Sequence, residues 1–495
     1  MGISVNDRAA MPRRFGYLLF FAVILVLRVY GLGKHDLWYD EIGSISYAQY
    51  PWGNWNAPLY WVFLHFWIKI FPLTEFFFRL PSAIFSFLSV ILLFLTAKRA
   101  FGDKIAVTAA LLMGLSPFQL WYAQEARDYS MALFLSLASV FFLVRTAADN
   151  KISSRLGFIM TLLLAVYTNY FMLFLAVGQF LYLLHLRKIK EALYASIVFF
   201  AFFSLYLPKF LAKLIYVKNG FWISAPGWQA PFITIGNFIL GYNSFFYPFI
   251  LCVALAGILC FRALVEALRN KKRECLFSVF LFIVPVIMIF FFSRFVFPVY
   301  LTRGLIIFSP YFYLFLAGGI FLLRGISRRI IVSLFSALLL LGLYGFFSDT
   351  MVMPLQYHMG VFSKKPVKPI ADFLDKNVKP GDAVAITNQS IMPSLSFYRA
   401  ERNAALFFFF DPEYPDTTWQ RPFQEDAVNI PLDKISLLGY DRFWVISLDW
   451  ARDGNMDENS ESVNTRMSQD FMLEYSSVME GLKIFRYARK FPREP

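Results

Sequence analysis

YLLFFAVILVLRVY (Tyr17–Tyr30) runs straight into GLGKHDLWYDE (Gly31–Glu41). An apolar run followed at once by a polar, acid-bearing loop is the pattern of a membrane span reaching water. Trp38 and Tyr39 have the amphipathic rings that favour headgroup depth. Asp40 and Glu41 are adjacent carboxylates. At a bilayer surface such a pair is costly unless it binds or reacts with something. Taken alone, an acid in a loop of this kind is most often simply solvated, so the rest of the chain has to decide.

The composition agrees with a membrane protein. Of 495 residues, 58% are hydrophobic and 16% charged, against about 25% charged in soluble domains. The apolar residues fall in long runs rather than in the alternation of barrel strands. The net charge of +14 would suggest nucleic acid in a soluble protein. Here the cations cluster between apolar runs, so the positive-inside rule accounts for them and no nucleic-acid partner is expected. Cys252, Cys260 and Cys275 have no metal-ligand spacing and suggest no disulfide framework. Arg13 and Arg14 precede a core without a small-residue cleavage site, which is read as a retained first span.

Charge then sets the topology. Arg8, Arg13 and Arg14 keep the N-terminus cytoplasmic and send Asp40 and Glu41 outward. The cluster Lys98–Lys104 belongs inside, so one crossing is allowed between Glu41 and Lys98. Pro81–Thr96 takes it, and Pro58–Phe71 lies at the outer surface. Ile105–Pro117 crosses outward and delivers Gln119–Tyr129 to the same face as Asp40. Two remote acidic segments are thus expected above one leaflet. The later runs are Tyr129–Val144, Leu156–Tyr170, Met172–Leu184, Ala192–Leu207, Phe245–Leu264, Leu276–Phe292, Leu305–Leu323 and Ile330–Phe347, about eleven crossings in all. Lys209–Gly241 reads as a long outer loop in which Phe232–Leu240 is apolar enough to re-enter.

The expected architecture is a polytopic α-helical membrane domain over residues 1–352 and a small extracytoplasmic α/β domain over 353–495. In the latter, Pro369–Asn377 reads as helix, Lys379–Asp382 as a turn, and Ala383–Thr387, Ala405–Phe410 and Phe443–Leu448 as buried strands. The expected location is a cell membrane, the inner membrane of a bacterium.

Four stretches resemble the GT-C superfamily of polyprenyl-phosphate-sugar-dependent glycosyltransferases, in the branch of protein O-mannosyltransferases and lipid A aminoarabinose transferases. LWYDE (Leu37–Glu41) looks like the first outer-loop acidic motif. NAPLY (Asn56–Tyr60) is similar to the "HPPLY" start of the surface helix, with Asn56 and Ala57 replacing His and Pro. SPFQLWYAQEARDY (Ser116–Tyr129) is the most specific match, and YTNYF (Tyr167–Phe171) resembles "YTHYF" with Asn169 in place of His. Thr302-Arg303-Gly304 is a weaker match to an Arg-Tyr pair. The resemblance spans about two thirds of the chain.

That resemblance implies an inverting transfer of a sugar from a polyprenyl-phosphate carrier, a membrane lipid, to a protein, lipid or glycan acceptor. Such a reaction needs a carboxylate to take the acceptor's proton and positive charge where the phosphate departs. Asp40 fits the first role, with Glu41 and Glu125 as catalytic partners. If a divalent cation (Mg or Mn) takes part, Asp40, Glu41 and Glu125 are its ligands. Arg303, then Arg294, are candidates for the carrier phosphate, since guanidinium forks suit its oxygens. A snorkelling interfacial arginine is the plainer reading of either. Arg127, Asp128, Asn56, Asn169 and Tyr170 are expected to contact substrate. A lipid transporter or flippase is the competing class. It would place charges at mid-span and show an internal repeat, and neither is visible.

Overall fold

The computed structural model describes residues 5–52, 56–149, 151–218, 223–242, 245–350, 366–388, 391–399, 404–410, 428–448 and 458–490. It divides into two compact units, one of Met1–Leu32 with Tyr50–Ser363, the other of Gly33–Gln49 with Lys364–Pro495. The composition change at Met353 falls outside the described residues. The acid-bearing stretch groups with the C-terminal unit.

The first unit is helical. Its helices are α1 (Val5–Val29), α3 (Leu59–Ile70), α4 (Glu75–Phe101), α5 (Asp103–Leu115), α6 (Pro117–Ala123), α7 (Tyr129–Ala148), α8 (Ile152–Val166), α9 (Met172–His185), α10 (Ile189–Ser204), α11 (Leu207–Lys218), α12 (Ala230–Leu240), α13 (Phe246–Asn270), α14 (Arg273–Ser278), α15 (Val284–Phe295), α16 (Ser309–Phe321) and α17 (Gly325–Phe347); α2 (Tyr39–Gln49) lies in the second unit. Among the described residues, six helices are long and apolar enough to cross a membrane, or up to eight if each bent pair, α5 with α6 and α10 with α11, is one span. The other three runs expected to cross are the shorter apolar helices Phe15–Val29, Ile152–Val166 and Met172–His185. A twelve-residue helix such as α3 reaches only about 18 Å, too short for a hydrocarbon core of about 30 Å.

Burial sorts these helices. The window Thr302–Leu322 is 89% buried, whereas those in α13 and α17 are 28% buried. The latter expose Ile258, Phe261, Leu268, Ile330 and Leu340. Large apolar side chains on an outer surface are stable against lipid and costly against water. Between α14 and α15 the helix widens into a π-turn at Val279–Ile283, just ahead of Pro285, which lacks the N–H an α-helix needs there.

The region read as one long outer loop, Lys209–Gly241, instead contains α11 and α12. Lys209, Lys213 and Lys218 interrupt the apolar pattern of α11 without stopping the helix, because lysine is a good helix former.

In the second unit, β1 (Asp382–Ile386), β2 (Leu406–Phe410), β3 (Val428–Pro431), β4 (Arg442–Leu448), β5 (Phe471–Met479) and β6 (Leu482–Arg489) form one sheet of order β3-β2-β1-β4-β6-β5. The first four strands are parallel, and β6 and β5 add antiparallel. Helices α18 (Lys368–Asn377), α19 (Met392–Tyr398) and α20 (Glu458–Asp470) complete it. One face packs Ala383, Ala385, Phe407, Phe409, Phe443 and Val445 against Val463 and Met467 of α20. On the other, Phe373 of α18 meets the Trp444 ring at 5.7 Å. Both faces of the central strands are therefore covered, which is why they read as unbroken apolar runs. The expected turn forms at Gly381 (φ 90°), and Asp382 accepts from Lys379 N–H (3.0 Å) and Arg442 Nε (2.8 Å).

Candidate active site

The stretch Ser116–Tyr129 is a broken helix rather than a loop. Ser116 caps α6, its Oγ accepting from Gln119 N–H (3.3 Å), and Pro117 occupies the first turn, where its missing N–H costs nothing. The chain bends by 60° here. Ser116 Oγ and Tyr313 Oη each lie 2.7 Å from the Phe238 carbonyl oxygen, and Gln119 Nε2 donates to Ser309 Oγ (2.7 Å). At the far end Gln124 Nε2 donates to the carbonyls of Arg28 (3.2 Å) and Tyr30 (2.8 Å). The bend also needs Gly241: its φ is +68°, and a Cβ there would lie 2.8 Å from Pro117 Cβ.

Held in this way, residues Glu125 to Asp128 make a tight turn between α6 and α7, with Arg127 N–H donating to Glu125 O (2.8 Å). Glu125 is buried. Consecutive Arg127 and Asp128 would diverge on a helix; on this turn each finds its own partners. The Arg127 guanidinium lies over the rings of Trp61 (5.5 Å) and Tyr129 (5.9 Å). Asp128 accepts from Asn169 Nδ2 (2.9 Å), and Asn169 Oδ1 accepts from Phe171 N–H (3.0 Å).

The other motifs join the same place. Leu59 N–H donates to Tyr167 O (2.9 Å). Tyr206 Oη donates to the Asn56 carbonyl (3.0 Å) and lies 3.1 Å from Tyr170 Oη. Arg303 is near enough for its charge to act on Asp128, Tyr122 and Tyr242. At Gly304, where the resembled family has Tyr, an added Cβ would lie 2.7 Å from the Phe171 ring, so Phe171 fills the space that a larger residue would take. NAPLY, SPFQLWYAQEARDY, YTNYF and Thr302-Arg303-Gly304 therefore meet within one unit.

Burial pushes the Asp128 carboxyl above its ordinary range, and Arg127, the Asn169 hydrogen bond and Arg303 pull it back in part. Lys213 of α11 lies near enough to Arg127 for the two cations to repel. The Tyr122–Tyr242 hydroxyl pair borders the same charges. Lys213, Tyr206, Tyr242 and the buried Arg28, which donates to Ser86 Oγ (2.9 Å) and Gly114 O (3.1 Å), have no local spacing that singles them out in sequence. Arg294 is exposed at the end of α15, with Nη1 3.5 Å from Pro226 O.

In the second unit, Asp40 and Glu41 sit in the first turn of α2. Glu41 is buried, and its Oε2 reaches back to Trp38 N–H (3.4 Å), as the third residue of a helix does in a capping box. Asp40 is partly exposed. Among the described residues, no three His, Cys, Asp or Glu side chains group as ligands for a metal ion.

Residues 56–215 match the family described as dolichyl-phosphate-mannose-protein mannosyltransferase. No curated protein sequence matches the chain significantly. Among solved structures, ArnT from Cupriavidus metallidurans superposes in its apo state and bound to undecaprenyl phosphate, each with a TM-score of 0.58 at 13% identity over 96% of this chain and 98% of that one. An Archaeoglobus fulgidus oligosaccharyltransferase gives a TM-score of 0.48 at 10% identity, over 95% and 73% of the respective chains. In fold the chain is similar to ArnT along nearly its whole length. The family match is confined to residues 56–215, which hold the NAPLY, SPFQLWYAQEARDY and YTNYF stretches.

Proposed function

We propose that this protein transfers a sugar from a polyprenyl-phosphate carrier to an acceptor at the extracytoplasmic face of a cell membrane, with inversion at the anomeric carbon. The observation that carries the reading is the meeting of four sequence motifs around the Glu125–Asp128 turn, with Arg127 and Arg303 both acting on Asp128. Guanidinium groups beside a lipid-facing helical bundle suit a departing phosphate. The structural relative with undecaprenyl phosphate bound supports a donor of that class.

In the proposed reaction, Asp40 takes the proton of the acceptor hydroxyl as its oxygen bonds the anomeric carbon. The bond from that carbon to phosphate oxygen breaks, and polyprenyl phosphate leaves with its negative charge on Arg303, with Arg294 the second choice for that role. Glu125 orients the sugar hydroxyls and Glu41 holds the turn carrying Asp40. Arg127, Asp128, Asn169, Asn56 and Tyr170 shape the donor pocket. The topology has about eleven crossings, with the N-terminus cytoplasmic and the sheet domain outside.

The test is mass spectrometry of glycolipids and glycoproteins from a deletion strain. Loss of one sugar from an acceptor, with build-up of its lipid-linked form, supports transfer. Unchanged acceptors with lipid-linked sugar retained on the cytoplasmic side would favour a flippase.

A further inference from the structure

The start of α18 cannot cap itself. Its N-cap residue is Val367, which has no side-chain acceptor, and Pro369 contributes no N–H. The two amides ahead of that proline, those of Val367 and Lys368, both donate to Asp36 Oδ2 over 2.7 Å, from 331 and 332 positions away in the chain. A carboxylate at this point also meets the positive end of the helix dipole, so the two bonds are charge-assisted. One residue further on, Leu37 N–H donates to Tyr398 Oη (2.8 Å). Tyr398 ends α19, against which α2 packs. Its ring lies under Lys368 Nζ (5.6 Å), and the neighbouring Arg399 pairs with Asp375 of α18 (3.7 Å).

The segment Gly33–Gln49 leaves and re-enters the chain of the helical unit, yet it groups with the sheet unit, to which Asp36 and Leu37 are hydrogen-bonded. Asp36 lies four residues ahead of Asp40, in the non-helical stretch between α1 and α2. Fixing Asp36 and Leu37 therefore fixes where α2 begins and where its first-turn acids point.

We propose that Asp36 and Tyr398 are positioning residues, and that the sheet unit serves the reaction by holding the acid-bearing segment in register. This rests on Asp40 as the base. A misplaced general base loses rate while ground-state donor binding persists, so the effect belongs in kcat rather than in KM for the donor.

The experiment uses full-length protein in lipid nanodiscs and combines amide hydrogen exchange with transfer kinetics on a polyprenyl-phosphate sugar. Asp36→Ala and Tyr398→Phe should each speed exchange across residues 37–49 while peptides of β1 and β4 stay protected. Each should also lower kcat by roughly tenfold to a hundredfold with donor KM little changed. Asp36→Asn, which keeps an acceptor oxygen, should fall between. Tyr398→Phe keeps the ring and removes only the acceptor oxygen, which guards against a variant that fails to fold. Unchanged exchange in both variants overturns the clamp, and faster exchange with full kcat overturns its role in the reaction. The exchange readout is independent of chemistry, so a fully active Asp40→Asn would remove the base assignment while leaving the clamp separately tested.

Discussion

Asn169 donates to Asp128 across 2.9 Å, joining the YTNYF stretch to the acidic turn 41 residues earlier. The same Asn accepts from Phe171 N–H, so its amide is held at both ends. Asp128 precedes α7 as its N-cap residue but makes no side-chain capping bond there. Its carboxylate faces across to the neighbouring motif instead.

Asn169→Ala should therefore loosen the turn itself. A lost hydrogen bond to a charged group costs about 1.5–3 kcal/mol, which thermal unfolding in detergent will read as a lowered midpoint. Transfer activity should fall with it. A midpoint equal to wild type would show that the bond contributes nothing.

The raised Asp128 carboxyl gives a signed pH dependence. Its folded pKa lies above the ordinary 3.8, so the folded protein holds the proton more tightly than the unfolded chain. The contribution to stability is then fullest below 3.8 and is lost as pH rises through the folded value. Asp128→Asn lacks that loss. Its thermal midpoint relative to wild type should climb as pH is raised from 3.8 and then level off. A difference that is flat or falls with pH would contradict the assignment.

Arg303, whose charge also reaches Asp128, is proposed to hold the carrier phosphate. Arg303→Ala should raise donor KM by roughly a hundredfold, the scale of about 2–3 kcal/mol for a charge-assisted pair. Arg303→Lys should recover only part, because an ammonium lacks the two-pronged fork. Full recovery by Lys would point to a simple charge requirement.

Gly304 stands against Phe171 with no room for a Cβ. Gly304→Tyr should destabilise by about 1–3 kcal/mol through overpacking. Adding Phe171→Ala should restore part of that, as a double-mutant cycle would reveal. Additive losses would mean that the two side chains do not compete for one space.

How far the sequence could be read depended on how local each signal was. β1, β2 and β4 are apolar on both faces and stand out as runs. β5 exposes Met472, Leu473 and Val478 at the sheet edge, and its mixed pattern conceals it. The long apolar helices were legible because hydropathy is local, whereas the Glu125–Asp128 turn, set by the break at Ser116 and the bonds around it, was not read from the sequence. α11 was hidden by its lysines. The roles of Tyr206, Tyr242 and Asp36 depend on partners far along the chain, and no spacing foretells a bond across 331 positions.

The most direct test of the central claim is transfer by Asp40→Asn in nanodiscs, with wild-type protein at equal abundance and equal amide-exchange protection. Asn keeps the size and loses the basicity, so sugar transfer should drop by at least about a hundredfold, within the span of general-base catalysis, while donor binding persists. Transfer at the wild-type rate would contradict the account.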